Sequence, residues 1–158
     1  MNIKKSIELK HFHNSESFID AEKKLIEKTF EATYSSYAPF SKFYVGCGLL
    51  LENGEIITGS NQENAAFPSG LCAERVALNT YAHSGNTNKI IALAVTARSE
   101  HYSIPKLLSP CGGCLQVMSE MVKRQNADFK LIAFTEHGGV FVADGVSTFL
   151  PFGFDFDE

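Results

Sequence analysis

The stretch Val45-Gly-Cys-Gly-Leu-Leu-Leu51-Glu-Asn53-Gly54-Glu-Ile56-Ile57-Thr58 decides the fold. Two short runs of small, β-branched and apolar residues flank Asn-Gly, the pair that best tolerates positive φ. The pattern predicts a β-hairpin with a type I′ turn. Upstream, Phe18, Ala21, Leu25, Ile26, Thr29 and Phe30 recur at helical spacing between Ser17 and Thr33, which predicts a helix. Tyr34 to Phe40 follows as a loop marked by Pro39 and two serines. Downstream, residues 70–84 read as a helix ended near Gly85, with Ala73, Val76, Ala77 and Tyr81 on one side. Ile90 to Ala97 is a continuous apolar run, the mark of a buried strand. Residues 110–125 form a further helix, with Leu115, Met118, Met121 and Val122 inward. Leu131–Thr135 and Val140–Ala143 then flank His137-Gly138-Gly139 as two strands. Residues 1–16 are polar and irregular, a lead-in or short edge strand, and Pro151-Phe-Gly-Phe154 with an acidic tail finishes the chain. Helix, hairpin, then alternating helix and strand predicts a single α/β domain over 1–158, a sandwich around a mixed sheet.

The 158 residues are 44% apolar and 20% charged, ordinary globular composition that can bury a core without staples. Thirteen Phe and no Trp point to aromatic surface in the core or at an interface. The net charge of −4 argues against a groove that grips a phosphate backbone. No apolar run reaches the length of a membrane span. The N-terminal lysines are followed by Glu8, Lys10 and His11 rather than an apolar segment, so no secretory signal is expected. That places the chain in the cytoplasm, with its four cysteines reduced and available for metal or catalysis.

Two segments carry chemistry: Cys72-Ala-Glu-Arg75 and Ser109-Pro-Cys-Gly-Gly-Cys114. Both fall at predicted helix N-termini, where unpaired N–H groups favour thiolate over thiol. Thiolates from Cys72, Cys111 and Cys114 leave one corner open on a tetrahedral zinc, the pattern of a catalytic site. Such a metal acidifies water at that corner to a pKa of roughly 7. Glu74 shares the first helical turn with Cys72 and is placed to move protons without being a ligand. Arg75 is placed to donate to thiolate sulfur and offset the excess negative charge of three thiolates. Taken singly, each feature has a plainer reading. A lone C-x-x-C is often a structural half-site or redox pair, Cys47 could complete a closed four-cysteine site, and Glu74 could be a surface carboxylate. Cys47 is more simply a small buried hydrophobe in its strand. The combination of Cys-Ala-Glu with a later Pro-Cys-x-x-Cys is the signature of zinc deaminases in their three-cysteine form.

These residues resemble the cytidine deaminase family, in its small homotetrameric, three-cysteine branch. The likeness runs from about Tyr34 to Phe154. It rests on Tyr37 to Gly46, Asn61 to Pro68, Cys72 to Leu78, Ser109 to Val117, and Leu150-Pro151 with Phe154. The resemblance implies a three-layer α/β/α sandwich around a mixed five-stranded sheet. It also implies one zinc per subunit and hydrolytic deamination of cytidine or 2′-deoxycytidine in pyrimidine salvage. By position, Cys72, Cys111 and Cys114 would hold the zinc and Glu74 would shuttle protons. Asn61 and Glu63 would bond the ribose near its 3′-hydroxyl, and Phe43 would pack on the base. The Ala73 N–H would hold the base O2, and the Ser109 carbonyl would accept from the leaving amine. Backbone at Ala65 and the side chain of Phe67 would face the 5′-hydroxyl from another subunit. Phe154 would reach the pocket from a neighbour, so that a homotetramer completes each site. A pocket for a neutral sugar and a flat base needs this mixture of amide, carboxylate and aromatic groups. The five histidines show no ligand spacing and read as surface or structural.

Three positions depart from the family pattern. Leu115 stands where Arg is usual, Phe67 where Tyr is usual, and Cys47-Gly48 where two alanines are usual. The first two bear on substrate preference and leave zinc and Glu74 untouched. Two other readings remain: a deaminase of a modified or N4-substituted cytosine nucleoside or nucleoside antibiotic, and a non-catalytic module that uses zinc only to fold. A base within nucleic acid is disfavoured as a substrate because no Lys/Arg-rich groove is evident.

Overall fold

The computed structural model describes residues 2–156; Met1 of the lead-in and Asp157 and Glu158 of the acidic tail lie outside the described residues. The strands are β1 (Lys10–Phe12), β2 (Phe43–Leu51), β3 (Ile56–Ser60), β4 (Ile90–Ser99), β5 (Lys130–Thr135) and β6 (Gly139–Ala143). The helices are α1 (Asp20–Ala32), α2 (Ala73–His83) and α3 (Gly112–Gln125). The strands form one sheet in the order β1-β6-β5-β4-β2-β3. Only β4 and β5 run parallel, joined through α3, and all other pairs are antiparallel. The sheet is therefore mixed, as expected.

Helix α1 covers one face and packs on β2, β3 and β4. Its Leu25 and nearby Phe18 join Leu50, Ala92, Ala94, Ile132 and Phe134 in one buried cluster. The other face is covered by α2 and α3. There Ala77, Leu78, Met118 and Met121 meet Leu49, Leu51, Leu93, Val95 and Leu131. Alternate residues of one strand thus feed opposite cores, and the three-layer arrangement follows from that alternation. Each fully buried Leu or Met contributes roughly 1.5–3 kcal/mol of hydrophobic stabilisation.

The sheet has six strands rather than the expected five. The extra one is β1, at the sheet edge beside β6, inside the stretch read as a lead-in or short edge strand. A tripeptide carries too little alternation to choose between those two readings, and the choice is made by its pairing with β6 and by side-chain contacts on and beyond that strand. His11 stacks on Phe141 with ring centroids 4.4 Å apart, Lys10 pairs with Asp144 at 2.7 Å, and Phe12 packs against Phe18.

The hairpin is present, but its turn is not type I′. Gly54 has φ of +85°, whereas Asn53 is not among the positive-φ residues. The Gly54 N–H donates to the Leu51 carbonyl at 2.9 Å, and the Leu51 N–H to that of Glu55 at 2.9 Å. Glu52, Asn53 and Gly54 therefore form a three-residue loop, a type I turn followed by a left-handed glycine. Asn53 stabilises it by accepting from the Glu55 N–H through its side-chain oxygen, the usual Asx-turn role.

The two site-bearing helices begin where the sequence placed them. Cys72 and Cys111 are their N-cap residues, both with extended backbone. Helix α3 ends on Asn126 in the left-handed region at φ 48°, with the Ala127 N–H reaching back to the Val122 carbonyl. That arrangement satisfies carbonyls the helix would otherwise leave open.

Candidate active site

Helices α2 and α3 start side by side over the same face of the sheet, so their first turns bring together residues about forty positions apart. The sulfurs of Cys72, Cys111 and Cys114 lie within 4.8 Å of one another, and those of Cys111 and Cys114 are 3.5 Å apart. Tetrahedral zinc with bonds of about 2.3 Å spaces its sulfurs by about 3.8 Å, so the cluster suits a zinc ion without rearrangement of the helices. Cys47 is not part of the cluster. It is wholly buried in β2, and burial pushes its thiol well up, as expected of a small hydrophobe. A closed four-cysteine site is thereby excluded.

The sulfurs share charge unequally. A bond from Cys114 and the guanidinium of Arg75 hold Cys72 down to about 5, against burial. Cys114 moves up in turn, chiefly through the same bond to Cys72 and through burial. The Arg75 guanidinium lies 3.6 Å from the Cys72 sulfur and also donates to the Gly70 carbonyl at 3.4 Å. Its predicted place beside the thiolates is the observed one.

Glu74 is 95% buried. Burial raises its carboxyl above the ordinary carboxylate value, and the charge on Cys72 adds to that. It interacts with Cys114 yet its oxygens stay outside the three-sulfur cluster. A carboxylate beside a metal site, desolvated and not a ligand, has the properties of a proton carrier.

A cavity of about 670 Å³ opens over this group, within the range for small-molecule sites. Val95, Ala73 and Glu74 form its buried floor. Leu108, Ser109 and Cys111 enter from the β4–α3 connection, while Phe40, Phe43, Asn61 and Glu63 enter from the β2–β3 edge. Of the residues anticipated for substrate, Phe43, Asn61, Glu63, Phe67, Ala73 and Ser109 line this cavity. Ala65 and Phe154 do not, and both are exposed. Phe154 is instead pinned to α3, its N–H and carbonyl both bonded to the Gln116 amide at 2.9 and 2.8 Å.

Asn61 is also a structural tie. Its side-chain oxygen accepts from the Val45 N–H at 2.8 Å and from the Ser36 hydroxyl. Its amide nitrogen donates to the Phe43 carbonyl at 2.9 Å, which leaves one amide hydrogen for a ligand. Glu63 accepts from the N–H groups of Phe40 and Ser41 at 2.9 and 3.2 Å. Partial burial pushes its carboxyl up, but the Ser41 side chain and those two N–H groups outweigh it and hold the group low.

Sequence reasoning did not single out Phe40, Leu71 or Leu108, all of which line the cavity. Phe40 lies inside the recognisable segment beginning at Tyr37. Its role depends on how the loops at 37, 62 and 71 pair with one another, which no local pattern reveals.

The profile of the "Cytidine and deoxycytidylate deaminase zinc-binding region" matches residues 19–126. The chain belongs to this family. The chain is 39% identical over 97 residues to a cytidine deaminase of Halalkalibacterium halodurans, covering 61% of this chain and 69% of the relative. It is 43% identical over 97 residues to a cytidine deaminase of Sporosarcina psychrophila, covering 61% and 67%. The crystal structure of cytidine deaminase from Burkholderia pseudomallei superposes with a TM-score of 0.70 at 30% identity, over 84% of this chain and 98% of that one. The corresponding structure from Mycobacterium tuberculosis gives 0.65 at 28%, over 87% and 99%. As a member of the deaminase family, the chain has its three sulfurs and its buried Glu at the N-termini of two helices on one sheet face.

Proposed function

We propose that the chain hydrolyses cytidine and 2′-deoxycytidine to the uridines and ammonia, as a cytoplasmic enzyme of pyrimidine salvage. The observation that carries this reading is the buried Glu74 beside three convergent sulfurs at the floor of a nucleoside-sized cavity. Bound zinc would supply a Lewis acid that brings the pKa of water to about 7.

In this reading Glu74 takes a proton from the attacking water as the C4–O bond forms and passes it to the ring N3. It then carries the second proton to the amine, the C4–N bond breaks, and ammonia leaves. The Ala73 N–H orients the base through O2, the Ser109 carbonyl receives the departing amine, and Phe43 packs on the ring. Asn61 and Glu63 bind the ribose near its 3′-hydroxyl. Arg75 moderates the negative charge of the thiolates.

A nucleoside is favoured over a nucleotide. Among the described residues lining the cavity Arg75 is the one cation, and it is already engaged by Cys72 and Gly70. Exposed Phe67, Leu71, Phe152 and Phe154 support assembly into a homotetramer. In that assembly the loop of Ala65 and Phe67, and Phe154, face neighbouring sites. The test is the fall in absorbance as zinc-loaded protein converts cytidine to uridine. No change with cytidine or 2′-deoxycytidine at micromolar enzyme contradicts the reading.

A further inference from the structure

We propose that the sulfur cluster is also a redox switch. A peroxide oxidant joins Cys111 to Cys114 in a disulfide, zinc is lost, and a small thiol reverses the change. The switch lies in the sulfurs and the helix that carries them, whichever nucleoside the cavity takes.

Cys111 and Cys114 open α3, the helix that joins the parallel strands β4 and β5. A C-x-x-C in such a β-α-β crossover is the placement of a redox dithiol as well as of half a metal site. The two sulfurs are 3.5 Å apart, and a disulfide spans about 2.05 Å, so each sulfur closes the gap by moving less than about 1 Å. They differ in access. Cys111 is exposed and Cys114 is buried, and Cys111 also lines the cavity. A Cβ at Gly112 would meet nothing within 4 Å, and one at Gly113 only the Cys111 sulfur at 4.0 Å. The intervening residues therefore neither shield Cys111 nor lock this turn against a small adjustment. An open sulfur that meets oxidant, backed by a second within one helical turn, yields a disulfide before further oxidation.

The other two cysteines are poorer partners. Cys47 is wholly buried in β2 and outside the cluster. Cys72 belongs to the cluster but caps α2, so a bond to it must draw two helices together.

In the oxidation, the Cys111 thiolate attacks one oxygen of hydrogen peroxide. The O–O bond breaks, a sulfenic acid forms, and the departing hydroxide takes a proton to become water. The Cys114 thiolate then attacks that sulfur. The S–S bond forms, the S–O bond breaks, and a second hydroxide leaves and is protonated to water. Two thiolates, one peroxide and two protons thus give one disulfide and two waters. The sulfurs lose two electrons and the peroxide gains them. A disulfide sulfur carries no charge, so Cys72 alone remains as a thiolate ligand, too few to hold zinc against a chelator. Two molecules of a small thiol return both cysteines by exchange and leave as their own disulfide.

The experiment treats zinc-loaded wild type with a slight excess of hydrogen peroxide, with no nucleoside present. It reads zinc released to a coloured chelator, free thiols under denaturant, and the mass of the proteolytic peptide carrying Cys111 and Cys114. Expected are release of the zinc, a fall from four free thiols to two, and a peptide lighter by two hydrogens. Dithiothreitol followed by zinc should restore all three. Cys47→Ala, which keeps the cluster, should lose the same two thiols and the same zinc. Retention of zinc and thiols overturns the proposal. So does a bond to Cys72 or Cys47, or an oxidation that dithiothreitol does not reverse. None of these readouts involves turnover, so failure here leaves the nucleoside reading standing, and failure of cytidine turnover leaves the switch standing.

Discussion

Glu74 and Glu63 are both carboxylates at one cavity, and their surroundings drive them apart. Glu74 is buried next to sulfur charge and titrates above the ordinary range. Glu63 accepts loop N–H groups and titrates below it. As a proton carrier Glu74 must start ionised, so turnover should fall as pH drops through its raised pKa, earlier than an ordinary carboxylate would allow. Glu74→Gln should retain zinc by elemental analysis while activity falls by about 10²–10⁴ or more. Loss of zinc together with activity would make Glu74 a metal-site support instead. For Glu63 the sign is opposite: its depressed pKa stabilises the fold above the ordinary value of 4.5, and that contribution disappears as pH falls below it. Tm measured from pH 6 to pH 3 should therefore drop less steeply for Glu63→Gln than for wild type. The sulfurs and Glu74 were legible because helix-start signals and three-residue spacing are local. The rim residues Phe40 and Leu71 were not, because their position depends on pairing between distant loops.

At the scale of elements, the hydrophobic periodicities of the helices and of β2, β4 and β5 survived folding with boundaries shifted by only a few residues. The turn type, which was misjudged, and β1, left between a lead-in and a short edge strand, had their physics outside the local pattern. Strand β1 exists through contacts with β6, and the hairpin loop gained a residue because Glu52 joined the turn and bonded the Lys89 carbonyl. The seating of α2 on β3 depends on Gly59. A Cβ there would lie 2.5 Å from the Ala77 nitrogen and 2.6 Å from the Ala73 carbonyl oxygen, so any side chain must push the helix away. Gly59→Ala should destabilise by about 1–3 kcal/mol, lowering Tm by roughly 2–10 °C. It should also weaken zinc binding, because α2 carries Cys72 away from the sulfurs of α3. Unchanged Tm and zinc affinity would show that the helix can yield at no cost.

At the scale of the whole molecule, one sheet face collects two helix N-termini and the loops of the β2–β3 edge into a single cavity. The three-layer class was readable from element order. The convergence of the two sulfur-bearing segments was implied only by the chemistry they share. Exposed aromatic side chains around the cavity and at the C-terminal segment lead to a prediction of assembly. Sedimentation equilibrium should give four times the 17.4 kDa chain mass, and a monomer at micromolar concentration would contradict completion of sites across subunits. The chemistry depends on a zinc held by three sulfurs with one corner left for solvent, a shell that X-ray absorption at the zinc edge of the loaded protein reads out. Three sulfurs at about 2.3 Å and one oxygen at about 2.0 Å are expected. A shell of four sulfurs, or of two, would contradict it.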